Sequence, residues 1–115
     1  MPILAIDPGY ERLGIAVMEK SEVLFSECFR TSAKLSFEDR LFNICERIEF
    51  IINQYKPEGL VIENLFLGTN QKTVMRVAEV RGALIYVSKK NNLFVKELTP
   101  LQIKMAVTGN GRSTK

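Results

Sequence analysis

Two short apolar runs each stop at a carboxylate. Ile3-Leu4-Ala5-Ile6-Asp7 is followed by Pro8-Gly9, and Gly59-Leu60-Val61-Ile62-Glu63 by Asn64. Apolar runs of this length, closed by residues that break a strand, read as buried strands. In a parallel sheet the carboxyl ends of the strands share one edge, where α/β proteins place their chemistry. If these two strands are neighbours, their carboxylates converge on a common point and must hold a cation or share a proton. Each acid taken alone is an ordinary turn or strand-end residue. Together they point to a hard-cation site.

The 115 residues suit one domain with a core of its own, and a hydrophobic share of 46% excludes a disordered chain. No apolar run approaches the roughly 20 residues of a membrane span, and no basic segment precedes the first apolar run as in a signal peptide. A cytoplasmic protein without membrane contact is expected. Cys28 and Cys45 are too few for a disulfide framework and are read as reduced, mostly buried thiols. The chain has no histidine, which excludes His-based triads and His-ligated zinc. Acid–base or metal chemistry must therefore rest on carboxylates and lysines.

Charge is divided unevenly. Residues 1–65 carry seven Lys/Arg against eleven Asp/Glu, whereas residues 66–115 carry nine against two. A basic half joined to an acidic one suits a polyanion surface beside a cation site. A set of solvated helix faces would give the same count.

Residues 13–18 and 22–30 read as two further strands, with Glu19-Lys20-Ser21 as a hairpin turn. Phe37, Leu41, Ile44, Ile48, Ile51 and Tyr55 repeat at helical spacing, with Ser36 and Asp39 as a capping box and Pro57 as the stop. A second helix is expected over 70–90, capped by Thr69 or Asn70. Its apolar residues run nearly all the way round, Val80 and Val87 among them, so one face would meet the sheet and another would need a partner. Gly82 within it suggests close backbone approach. Leu93–Glu97 reads as the last strand, and Thr99-Pro100 opens a short helix to about Val107. A basic, Gly-rich loop over 109–115 follows. The order βββαβαβα predicts an α/β fold: one mixed five-stranded sheet with helices on its faces. A chain ending in such a loop is expected to be a truncated domain.

Several separated motifs carry a resemblance. Ile6-Asp7-Pro8-Gly9, Cys28-Phe29-Arg30-Thr31, Ile62-Glu63-Asn64-Leu65-Phe66, Arg81-Gly82 and the stretch from Lys104 through Val107-Thr108-Gly109 to Lys115 resemble RuvC, the bacterial Holliday-junction resolvases. The likeness runs end to end. It implies a ribonuclease H-like fold, a homodimer, for which the doubly apolar helix 70–90 is the expected interface, and Mg²⁺-dependent cutting of four-way DNA junctions, with Mn²⁺ as a possible substitute ion. It allows a branch-migration helicase complex as a further partner.

By the same resemblance Asp7 and Glu63 are the catalytic metal ligands. Phe66 is either a core aromatic or, as the family implies, a residue that stacks on an unpaired base at the junction centre. Lys72, Arg76, Lys104, Arg112 and Lys115 are candidate phosphate contacts, with Lys104 and Lys115 matching family lysines beside the scissile phosphate.

The likeness has two gaps. Arg12 and Leu13-Gly14-Ile15-Ala16 sit closer to YqgF-type relatives of the same fold, which process ribosomal RNA. RuvC also completes its site with two acids one helical turn apart, on a helix beyond residue 115. Glu97 ends a strand, but nothing in its spacing makes it a substitute. Two carboxylates hold one Mg²⁺ weakly, so this chain is expected to be inactive or nearly so. A non-catalytic nucleic-acid-binding module of the same fold is the reading from another class. An actin-like phosphotransferase is set aside, because the first turn lacks the glycine–hydroxyl phosphate pattern.

Overall fold

A computed structural model describes residues 1–63 and 70–98. Its elements are β1 (Ile3–Asp7), β2 (Arg12–Glu19), β3 (Glu22–Arg30), α1 (Phe37–Tyr55), β4 (Gly59–Glu63), α2 (Gln71–Lys90) and β5 (Phe94–Leu98). They match the expected order, with ends shifted by a residue in β2 and β5. The helix and basic loop expected over 99–115 lie outside the described residues.

One sheet runs β3-β2-β1-β4-β5. The first three strands are antiparallel neighbours, and β4 joins β1 in parallel, as β5 joins β4. The hairpin turns at Lys20, which takes a left-handed φ of 58°. Past that turn Val17 faces Phe25 but Met18 faces Val23, so Leu24 bulges out of register.

Both helices carry the caps their sequences call for. Ser36 Oγ accepts from the Asp39 N–H at 3.2 Å, and acidic Glu38 and Asp39 occupy the first turn of α1. Lys56 closes α1 in the left-handed region (φ 52°) and donates its N–H to the Ile52 carbonyl at 2.8 Å. Pro57 cannot continue the helix. For α2 the cap is Asn70, whose Oδ1 accepts from the Thr73 N–H at 3.1 Å. At the other end Asn91 donates from Nδ2 to the Val87 carbonyl and to Glu49 Oε2 of α1, tying the helices together.

The core is one cluster between the sheet and both helices. Leu4 and Ile6 of β1, Leu13, Ile15 and Val17 of β2, and Leu60 and Ile62 of β4 meet Ile44, Ile48 and Ile51 of α1 and Val80, Leu84 and Val87 of α2. Each such side chain contributes about 1.5–3 kcal/mol by leaving water. The Arg47 guanidinium reaches over the same face to hold both oxygens of Glu27 on β3, at 2.9 and 3.1 Å.

Three expectations are corrected. Val80 and Val87 are buried within the chain, so neither needs a partner subunit; α2 buries a single stripe, and Met75 and Tyr86 lie exposed outside it. Gly82 is not a close-approach position among the described residues, since a Cβ there would meet none of them within 4 Å. Cys28 is exposed and Cys45 only half-buried, because Cys28 falls on the alternate face of β3.

That alternate face carries Ile3, Ala5 and Asp7 of β1, Gly14 and Ala16 of β2, Ser26 and Cys28 of β3, and Val61 and Glu63 of β4. Among the described residues no helix covers it.

Candidate active site

Parallel pairing sets Ile6 of β1 beside Ile62 of β4. The next residues along the two adjacent strands are Asp7 and Glu63, both at the carboxyl edge and both on the uncovered face. Strand alternation therefore fixes where they stand: one residue earlier or later, each would enter the core. Pro8-Gly9 ends β1 immediately after the aspartate.

The two side chains meet. Glu63 has a carboxyl pushed above the usual range for glutamate, first by loss of water around it, then by the negative charge of Asp7 and by a side-chain hydrogen bond with Asp7. A carboxyl–carboxylate hydrogen bond needs a proton between the partners, and two like charges in contact hold it tightly. A divalent cation answers the same need with oxygen ligands. The pair borders a cavity of about 380 Å³ whose other walls include Ala5, Gly14, Ala16, Met18 and Ser26. Small side chains on three strands leave this space. A Cβ on Gly14 would sit 3.2 Å from the Asp7 Cβ, so glycine at that position gives the aspartate its room.

The residues fit a hard cation with part of its shell left to water. Among the described residues no third carboxylate or cysteine joins the pair. Glu97, one residue before the end of β5, faces the helices and is bonded to Arg81 of α2; it is committed elsewhere. Arg81 of the Arg81-Gly82 motif thus has a structural partner.

Of the expected nucleic-acid contacts, Lys72 lies exposed in the first turn of α2 and Arg76 half-buried one turn further along. Phe66, Lys104, Arg112 and Lys115 lie outside the described residues. The sequence reading named Arg76 but missed the basic–aromatic group it joins. Arg76 of α2 lies over the Phe37 ring at 4.1 Å, Phe37 meets Tyr10 edge-on at 5.7 Å, and Arg40 is 5.7 Å from the Tyr10 ring. A signal was present: Arg40 interrupts the apolar stripe of α1, three residues after Phe37 and four before Ile44.

An antiparallel three-stranded start followed by two parallel crossovers defines a ribonuclease H-like fold, here with two carboxylates at the ends of the adjacent first and fourth strands. The family model described as crossover junction endodeoxyribonuclease RuvC matches residues 3–115. The chain belongs to the RuvC family, whose members are named as hydrolases acting on DNA. It is 40% identical to the crossover junction endodeoxyribonuclease RuvC of Petrotoga mobilis, covering 100% of this chain and 73% of that relative. It is 37% identical to the RuvC of Fusobacterium nucleatum, covering 100% of this chain and 63% of that relative. In fold it matches T. thermophilus RuvC in complex with a Holliday junction substrate, with a TM-score of 0.84, 23% identity, and coverage of 96% of this chain and 73% of that one.

Proposed function

We propose that the chain is the nuclease part of a resolvase that cuts four-way DNA junctions by hydrolysing phosphodiester bonds, with Asp7 and Glu63 as the ligands of a divalent cation, Mg²⁺ or Mn²⁺. The observation that carries this reading is the meeting of these two carboxylates at the ends of adjacent parallel strands. When bound, such an ion neutralises the phosphate and lowers the pKa of a coordinated water. The chain's own part is positional. Asp7 and Glu63 are anchored by β1 and β4, whose neighbours in the core fix the two backbones. Gly14 leaves Asp7 space, and the small residues of the uncovered face leave room beside the pair for a ligand.

Two carboxylates fill only part of a divalent cation's shell, and water would complete it. Phe66 would open the junction by stacking on a base, and Lys72, Lys104, Arg112 and Lys115 would hold phosphates. The family match through residues 3–115 favours junction DNA over the ribosomal-RNA alternative. A two-fold substrate suits a two-fold enzyme. The exposed Met75 and Tyr86 on the outer side of α2, with no neighbour at Gly82 among the described residues, would supply the surface for a homodimer. A branch-migration helicase complex would act on the same DNA. No described helix is long and apolar enough to cross a membrane, and the proposed substrate places the protein in the cytoplasm.

The test pairs cation binding with junction binding. Mg²⁺ or Mn²⁺ should bind the unaltered chain and not Asp7→Asn, while both proteins prefer a labelled four-way junction to duplex of the same sequence. No preference for the junction, or cation binding untouched by Asp7→Asn, would sink the reading.

A further inference from the structure

The turn after β1 does more than end a strand. The Thr31 hydroxyl donates to the Tyr10 carbonyl, and the Thr31 N–H donates to the Glu11 carbonyl at 3.0 Å. Tyr10 is thereby fixed three residues past Asp7, at the carboxyl edge of the sheet. Phe37 from the start of α1 packs edge-on against it. The two rings each carry a cation, Arg40 beside Tyr10 and Arg76 over Phe37. Together with Glu11 and Lys72 these four side chains border a cleft of about 360 Å³.

Arg40 is the informative member. It is 8% exposed, its Nε donates to the Ser32 carbonyl at 2.8 Å, and no carboxylate pairs with it among the described residues. A guanidinium has five N–H donors and does not lose its charge. The four on its terminal nitrogens have no protein acceptor among the described residues, yet the residue borders the cleft. Arg76 meets only Glu79, at a loose 3.7 Å, and its stacking on Phe37 leaves the donor edges open. A guanidinium with open donor edges and no carboxylate beside it suits a phosphate entering the cleft.

We infer that this cleft is a second phosphate site, in which Arg40 and Arg76, assisted by Lys72, grip the backbone of a DNA strand running past the carboxylate pair. It rests on the nuclease reading above and extends it: cutting requires one phosphate at Asp7 and Glu63, and the cleft holds another away from it, setting the strand's path. The planar guanidinium suits bidentate phosphate contact, and the aromatic pair fixes both cations before DNA arrives. The plain alternative is that Arg40 only clamps the connection before α1 through Ser32.

The salt dependence of junction binding separates the two. Affinity of the whole chain for a labelled four-way junction is measured in EDTA across a salt series, for the unaltered protein, Arg76→Gln, Arg40→Gln and Lys20→Gln. Lys20 lies at the opposite edge of the sheet. Each phosphate contact contributes about 0.9 to the slope of log K against log salt, about an eightfold change between 1 M and 0.1 M salt. Arg76→Gln should lower the slope by about that amount, Arg76→Lys should restore it, and Lys20→Gln should leave it unchanged. If Arg40→Gln fails to fold, Arg76→Gln and Lys72→Gln carry the test. Junction binding with an unaltered slope in the Arg76 and Lys72 variants overturns the cleft but leaves the nuclease reading standing. An unaltered protein that binds no junction ends both, and an equal loss in Lys20→Gln overturns the cleft as a site.

Discussion

The two faces of the sheet are made from alternate residues of the same strands, and they obey different rules. Toward the helices stand Leu4, Ile6, Leu13, Ile15, Leu60 and Ile62, all at 4% exposure or less. On the other side the neighbours of those residues are Ala5, Asp7, Gly14, Ala16, Val61 and Glu63. The first face is filled with large branched side chains that define the fold. The second has small ones around two carboxylates, a poor core but a good recess. Period-two alternation lets one strand serve packing and chemistry at once, because a substitution on one side need not disturb the other.

Adjacent residues of β4 give the sharpest contrast. Ile62→Ala removes a fully buried side chain and should cost about 2–5 kcal/mol. Val61→Ala, on the half-buried face, should cost about 1 kcal/mol or less. Urea denaturation of both variants measures the difference. Equal costs would mean that the second face is packed as tightly as the first.

A smaller effect belongs to the recess itself. A cation at ten times its dissociation constant should stabilise the folded chain by about 1.4 kcal/mol, seen as a rise in Tm with added Mg²⁺ or Mn²⁺. Glu63→Gln and Asp7→Asn should abolish that rise, whereas Glu27→Gln, which alters an acid on the packed face, should lower the starting Tm and keep the rise. A cation response that survives in Glu63→Gln would place the ion elsewhere.

Sequence and structure agree best on elements whose cause is local. Ser36, Asn70 and Pro57 mark helix ends by their own hydrogen bonds or lack of them, and the apolar runs closing at Asp7 and Glu63 mark two strands. The adjacency of those strands is not local, but the two carboxylates gave a reason to expect it, and β1 and β4 do pair in parallel. Legibility failed where the answer depended on which elements meet. The apolar surround of α2 suggested two contact partners, yet Val80 and Val87 fall on one buried stripe with Leu84. The exposed Cys28 follows from strand parity rather than from the general habit of cysteine. The cleft at Tyr10 and Arg40 required the β1–β2 turn, the entry to α1 and the first turns of α2 to come together, and no single stretch of sequence contains that.

A weaker contrast appears with pH. The carboxyl of Glu63 is raised in the folded chain, so the folded state binds that proton more tightly than the unfolded one. Without a cation, its contribution to stability is fully present below the ordinary glutamate value of 4.5 and is lost as pH rises through the raised folded value. Glu63→Gln should flatten the pH dependence of Tm in that window, and divalent cation should reverse its sign at neutral pH. Tm that rises with pH through this window for the metal-free protein, by way of Glu63, would contradict the crowding of the two acids.

The smallest effect tests how tightly the recess is fitted. Glycine within a strand is generally about 0.5–1 kcal/mol less stable than alanine, so Gly14→Ala would normally be a gain. Here the new Cβ would lie 3.2 Å from the Asp7 Cβ, closer than comfortable contact, and Asp7 must yield by a few tenths of an ångström. The two terms oppose each other, so stability should change by less than about 0.5 kcal/mol, while cation affinity should fall by a few-fold because one ligand is displaced. Denaturation and cation titration on one preparation read both. A full gain in stability with undiminished cation binding would show that Asp7 moves freely, and that glycine at position 14 is not what gives the carboxylate its place.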